Sequence, residues 1–320
     1  MENTLKKYKE WILKAVSSST FNVVKLNWPD KLGLNLFDYS IDVTIDNIIF
    51  SGRGSDVVED IALCKAMSET YERFCVYIYC LKNTNGCAAH YDLEIAKNNA
   101  IEELVERDCF LFKYITAENL KKASYNVHNV QLDSKAKLFN YILHLDAPVI
   151  ALSRVTINSE ANIFGLGIGK NIDEAFRKSE VETLRQYASL ISDFDHQKYS
   201  YEFISAKKSM TFEDHGNIAL TKKHYDSISY IFNSDANEYC ANKKIRYLFE
   251  RFDESKNMYK VWISKFASDH PFFEIPLFFV KASNIYAQEL FTGATCNNMN
   301  RLRIQNTEPE SLNLCLHPFQ

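Results

Sequence analysis

Runs rich in β-branched and aromatic residues stand at positions 41–50, 139–145, 149–157, 245–252, 258–266 and 277–282, and each predicts a strand. Between several of these runs the apolar positions recur with the period of a helix. Over residues 1–14, Leu5, Trp11, Ile12 and Leu13 are interleaved with Lys6, Lys7, Lys9 and Glu10. That pattern predicts an amphipathic first helix, without the unbroken apolar stretch of a signal peptide. Strands and helices alternate too irregularly for a doubly wound parallel sheet, so the predicted class is α+β, with mixed sheets and helices. Nine glycines and six prolines leave no flexible linker, and one domain over residues 1–320 is expected. Within it, 1–50 form an N-terminal helix and strand region, 51–190 carry three motif helices, and 191–320 form a C-terminal α/β region with a proline-containing tail.

The helical stretches repeat. With Ala62, Ala96 and Ala175 as anchors, Ala66, Ala100 and Ser179 follow four positions on. Glu69, Glu103 and Glu182 follow at seven, and Glu72, Glu106 and Arg185 at ten. Arg73, Arg107 and Gln186 complete the pattern at eleven. Two copies therefore read Glu-x-x-Glu-Arg, and the third is partial. A glycine-containing segment, predicted as a turn, precedes each copy: Gly52-Arg53-Gly54, Gly86, and Gly165 to Gly169. Acidic residues such as Asp56, Asp92 and Asp173 stand at the helix starts, where they suit the positive end of the helix.

The small residues lie on one face and let the helix approach a neighbour closely, and the first Glu continues that stripe. If two or three such helices face one another, their carboxylates converge, and a cation must offset the repulsion. Magnesium, a hard ion that takes carboxylate and phosphate oxygens, suits that place, and Arg73 and Arg107 would suit phosphate. The competing reading is a solvated helix face with local ion pairs, and repetition alone leaves both open. A P-loop is excluded, because no Gly-x-x-x-x-Gly-Lys-Ser/Thr occurs.

Composition narrows the field further. A chain that is 46% hydrophobic and 24% charged can build a core, and a net charge of -4 with pI near 6.1 argues against a general nucleic-acid binder. No apolar run approaches the roughly 20 residues needed to span a bilayer. Eight cysteines include no Cys-x-x-Cys pair, and Cys87 with His90 falls short of a zinc ligand set. Reduced thiols in a cytoplasmic protein are expected.

The segments Gly52-Arg53-Gly54 with 66–73, Gly86–His90 with 100–108, and 165–186 resemble the three motifs of the YcaO family. The closing Leu316-His317-Pro318-Phe319-Gln320 is similar to the proline-containing tail of its azoline-forming members. The resemblance covers residues 52–320. It implies an ATP- and Mg2+-dependent enzyme acting on backbone amides of a ribosomally made precursor peptide. In such enzymes a nucleophile attacks the amide carbonyl, ATP phosphorylates the resulting oxygen, and phosphate leaves. A Cys, Ser or Thr nucleophile yields a thiazoline or oxazoline (cyclodehydratase chemistry); external sulfide yields a thioamide. Carried over, Glu69, Glu72, Glu103, Glu106 and Glu182 would hold the metal. ATP would fall to Arg53, Lys65, Arg73, Asn99, Arg107, Arg185 and Gln186, and His317 and Gln320 would serve catalysis. A leader-binding partner protein and a flavin oxidase are implied partners, with no role for nucleic acid or membrane. Lys65 stands where the family usually has Ser, His90-Tyr91 where it has Gly-Asn, and Ile95 where it has Glu. Thioamide or amidine formation, or a degenerate scaffold that binds a partner without catalysis, are the alternatives.

Overall fold

The computed structural model describes residues 6, 8–10, 12–14, 20–81, 84–116, 120–191, 200–207, 212–232, 260–262, 272 and 277–284. Positions 6, 8–10 and 12–14 are helical, as the amphipathic pattern predicts, and Tyr8 and Ile12 are buried. Strand β1 (Phe21–Lys25) pairs antiparallel with β2 (Phe37–Ile45), and β2 pairs antiparallel with β3 (Ile48–Asp56). Asp46 and Asn47 join the last two with φ of 50° and 64°, a left-handed turn whose twist matches the flanking strands. The run predicted as one strand over 41–50 is therefore a hairpin, folded back at the two residues that most readily take that backbone. Between β1 and β2 lies the short helix α1 (Trp28–Lys31), with Pro29 in its first turn.

Helix α2 (Glu59–Ile78) lies on β3 through Ala62, Ala66 and Thr70, all fully buried. Gly52 and Gly54, expected in a turn, lie inside β3 instead. The reason is steric: a Cβ at Gly52 would sit 2.2 Å from Thr70 N, and one at Gly54 2.2 Å from Ala62 O. Glycine is needed there because the helix backbone rides directly on the strand. The adjoining flank of α2 enters a core of Met67, Tyr71, Phe74 and Phe272, where Phe50 of β3 and Phe74 meet edge to face at 5.3 Å. Gly86, with φ of 65°, turns the chain into β4 (Cys87–His90), and helix α3 (Leu93–Ile115) follows. Asp92 Oδ1 caps α3 by accepting the N–H groups of Glu94 and Ile95 at 2.9 and 3.1 Å.

Next come β5 (Lys121–Lys122), β6 (Ala136–His144), β7 (Val149–Ile157) and β8 (Ala161–Gly169), an antiparallel sheet in that order. Helix α4 (Ile172–Ile191) packs on β8 as α2 packs on β3. A Cβ at Gly165 would lie 2.5 Å from Thr183 N, and one at Gly167 2.3 Å from Ala175 O. So these glycines too are strand residues rather than a turn. Thr70 Oγ1 bonds Ile41 O and Ala66 O at 3.0 and 2.9 Å; Thr183 Oγ1 bonds Ser153 O and Ser179 O at 3.1 and 2.7 Å. Each strand-β8 and helix-α4 partner stands 113 positions after its first-copy counterpart, as Gly165 does after Gly52 and Thr183 after Thr70. The offset is 112 in the preceding strand, as from Ile41 to Ser153, because the β7–β8 turn holds one more residue.

Helices α5 (Tyr201–Ser205), α6 (Phe212–Ala219) and α7 (Lys222–Phe232) follow, then β9 (Lys260–Trp262) and β10 (Phe278–Lys281). β10 pairs antiparallel with both β4 and β9. The predicted strand at 245–252 lies outside the described residues. The α+β class holds throughout. Two compact units result, one within 1–104 and 257–283, the other within 105–256 and 284–320, with the boundary between Leu104 and Val105 inside α3. Among the described residues, Cys64, Cys75, Cys80, Cys87 and Cys109 are free thiols, and no helix is long and apolar enough to cross a membrane.

Candidate carboxylate site

The contacts that seat α2 on β3 also aim its carboxylates. Among the described residues of the first unit β3 and β4 are edge strands of two different sheets, and α2 touches both. Glu69 Oε2 accepts the backbone N–H of Arg53 in β3 at 3.0 Å, while Oε1 accepts Arg73 Nη2 at 2.7 Å. One turn on, Glu72 Oε1 accepts the backbone N–H of Ala89 in β4 at 2.9 Å. Each carboxylate thus satisfies an amide that a strand edge would otherwise leave open.

Glu103, on α3, is brought to the same place. Gly86 sits between α3 and Ala282: a Cβ there would lie 2.6 Å from Ala282 O, 3.2 Å from Leu104 Cβ and 3.4 Å from Ala100 O. The Glu72 carboxyl is held well above the ordinary carboxylate range, first by burial and next by the negative charge of Glu103. The Ala89 N–H opposes this, Glu69 adds to it, and Arg73 offsets part of it. The first unit therefore gathers Glu69, Glu72 and Glu103 within electrostatic reach of one another. Among the described residues no three His, Cys, Asp or Glu side chains are gathered closely enough to hold a metal ion by themselves. The donors are all hard oxygens, and such a set suits magnesium, which fills its shell with phosphate oxygens and water beside one or two carboxylates.

The other residues singled out from the sequence are distributed as follows. Lys65 is exposed and pairs with Asp56 at 2.6 Å, and Asn99 is exposed on α3. Arg53 lies between two glycines that face α2, so its side chain leaves the opposite face of the sheet and donates to Asp38 Oδ2 at 2.7 Å. His90 is half-buried; its Nδ1 accepts the Asp92 N–H at 3.0 Å, its ring packs on Tyr91, and burial lowers its pKa. Glu106 and Arg107 are half-buried on the stretch of α3 that belongs to the second unit. Glu182, Arg185 and Gln186 are half-buried on α4, at the positions that Glu69, Glu72 and Arg73 occupy on α2. His317 and Gln320 lie outside the described residues.

Two buried carboxylates were not legible in the sequence. Asp38 is fully buried and accepts Ser55 Oγ at 2.8 Å, Trp28 Nε1 at 2.5 Å and the Arg53 guanidinium. Its strand alternates polar and apolar residues, and Asp38 falls on the polar face, so only the placing of Trp28 over it reveals a buried charge. Glu180, also fully buried, accepts the N–H groups of Val127 and His128 at 2.8 Å, Asn140 Nδ2 at 2.6 Å and His128 Nδ1 at 2.7 Å. It stands where α2 has the core residue Met67. Beside it, a groove of about 640 Å³ is lined by Asn126, His128, Asp133 and Lys137 among others, and contains none of the residues selected from the sequence.

A model of the family described as YcaO cyclodehydratase, ATP- and Mg2+-binding, matches residues 71–272. No curated protein matches the chain. Solved structures share the fold at low identity. One, described as a heterocyclase in complex with substrate and cofactor, is 12% identical with a TM-score of 0.63, over 98% of this chain and 57% of its own. This chain therefore spans little more than half of that protein. A second is YcaO from Methanopyrus kandleri bound with AMPPCP and Mg2+, 11% identical with a TM-score of 0.55, over 90% of this chain and 91% of that one. A third belongs to the E. coli microcin synthetase McbBCD complex, 10% identical with a TM-score of 0.53, over 78% and 85% of the two chains.

Proposed function

The chain belongs to the YcaO family, and from that premise we propose that it uses ATP and Mg2+ to activate backbone amides of a ribosomally made peptide. The product under this reading is an azoline, formed by cyclodehydration of a Cys, Ser or Thr. ATP would supply the phosphoryl group that turns the amide oxygen into a leaving group, and Mg2+ would neutralise its charge. The observation that carries the reading is the seating of Glu69 and Glu72 on the edges of β3 and β4, with Glu72 held towards its neutral form by burial and by the charge of Glu103.

The chain's own residues prepare that site. Arg53 N–H and Arg73 orient Glu69 through both oxygens, and Ala89 N–H orients Glu72. A magnesium ion would let Glu72 ionise and offset the repulsion from Glu103, so metal and carboxylates are mutually stabilising. Glu106 and Glu182 are proposed as further metal ligands, and Arg73, Arg107, Arg185 and Gln186 as phosphate contacts, with Lys65 and Asn99 at the periphery. His317 and Gln320 are proposed to serve catalysis from the tail. Catalysis of this kind is mainly positioning and charge neutralisation, which a rigid set of carboxylates and guanidiniums supplies.

The likeness to a chain of a multi-protein microcin synthetase supports a partner protein that delivers the peptide. A flavin oxidase acting on the azoline is part of the same proposal. Calorimetry with ATP and Mg2+ tests the reading. Wild-type chain should bind, Glu72→Gln and Glu106→Gln should not, and all three should keep their fold. Absence of binding by wild type with its partner present overturns it.

A further inference from the structure

Arg53 connects two networks on opposite sides of one strand. Its backbone N–H, at the open edge of β3, is the donor that holds Glu69 Oε2 at 3.0 Å. Its guanidinium crosses to β2 and reaches Asp38 Oδ2 at 2.7 Å. Asp38 is itself fixed: Ser55 Oγ bonds Oδ1 at 2.8 Å, and Trp28 Nε1 bonds Oδ2. In the β2–β3 register Asp38 faces Ser55 and Ser40 faces Arg53, so Asp38 engages its direct partner and the diagonal one. A fully buried carboxylate is costly to keep unless its donors stay in place, so this cluster resists any movement of Arg53 along or away from β2. The glycines on either side of Arg53 carry no side chains that could do the same, and among the described residues no strand pairs with β3 beyond it.

We infer that Asp38 is a positioning residue for the carboxylate site, clamping Arg53 so that the Arg53 backbone N–H stays aimed at Glu69. This rests on the ATP and Mg2+ reading above. Arg53, in this geometry, serves through its amide rather than by extending its guanidinium to the nucleotide. Asp38 touches no reacting atom and acts only through the strand.

The test is Mg2+ titration of ATP binding by the full-length protein, followed by calorimetry, for Asp38→Asn, Ser55→Ala and Arg53→Ala. Asp38→Asn should raise the half-saturating Mg2+ concentration about tenfold at a temperature where circular dichroism shows it folded. Ser55→Ala, which removes one donor, should give a smaller rise in the same direction, and Arg53→Ala should match Asp38→Asn. In a Glu69→Gln background the Asp38→Asn change should add almost nothing, because the group being positioned is already altered. Should Asp38→Asn fail to fold, the other two variants decide. A purely structural role predicts lower melting temperatures with unchanged Mg2+ half-saturation, and that result overturns the inference while leaving the site intact. Failure of the wild-type protein to bind Mg2+ and ATP overturns the underlying reading instead.

Discussion

Glu72 Oε1 accepts the backbone N–H of Ala89 at 2.9 Å, tying the middle of α2 to the edge of β4. The bond favours the ionised carboxylate, yet burial and the charge of Glu103 outweigh it. The carboxyl is thus aimed by the fold but held towards its neutral form until a cation arrives. Glu72→Gln keeps an acceptor for Ala89 and removes the repulsion. It is expected to leave the ligand-free fold at least as stable as wild type while reducing Mg2+-dependent ATP binding by at least about tenfold. Thermal melting and calorimetry check the two halves separately, and wild-type affinity in the variant refutes the assignment.

The same carboxyl makes stability depend on pH. A carboxyl whose folded pKa is raised keeps a proton that the unfolded chain releases, so its contribution is fullest at low pH and declines as pH rises through the ordinary carboxylate range towards the raised value. Relative to wild type, Glu72→Gln should therefore gain stability as pH rises, and saturating Mg2+ with ATP should reduce that gain. Melting curves from acid to neutral pH measure it; a difference that does not vary with pH contradicts it.

Gly52 and Gly165 face helix backbones at distances that no Cβ can occupy. Gly52→Ala and Gly165→Ala should each cost about 3 kcal/mol in urea unfolding, because α2 or α4 must lift from its sheet. A cost below about 1 kcal/mol in either would show that the helix is less closely seated than described.

Glu180 draws two backbone N–H groups, Asn140 and His128 onto one buried carboxylate. Glu180→Ala strands these donors and should destabilise the protein by about 3–5 kcal/mol. Denaturant unfolding decides this, and a near-neutral result would show that the network is readily replaced by water.

Lys65, more than half exposed in its pair with Asp56, should contribute under about 1 kcal/mol to stability. Lys65→Ala is therefore a clean probe of nucleotide contact, since a fall in ATP affinity would not be confounded by unfolding. Unchanged affinity assigns the residue to the surface pair alone.

The repeated anchors, small residues and carboxylates were legible in the sequence because helical periodicity ties spacing to a shared face. The positions of Glu69 and Glu182 in that repeat correspond in the fold as well, through strand, helix and glycine contacts displaced together by 113 residues, as Gly52 is from Gly165. Residues 41–50 misled as one strand because apolar residues flank Asp46 and Asn47 directly on both sides, so two turn-forming residues read as part of one run. Gly52 and Gly54 misled as a turn because glycine marks both a bend and a close approach, and only the helix lying over them distinguishes the two.

By itself the chain's order of residues settled that α2 and α3 each carry a Glu-x-x-Glu-Arg face beside small residues, since that depends on local periodicity alone. Tertiary structure decided which carboxylates feel one another, Glu72 with Glu103 and Glu69, and that two strand-edge amides hold Glu69 and Glu72. It also decided that Asp38, on the polar side of its strand, is buried beneath Trp28. Burial and like-charge proximity arise from residues distant in sequence, and no local spacing encodes them.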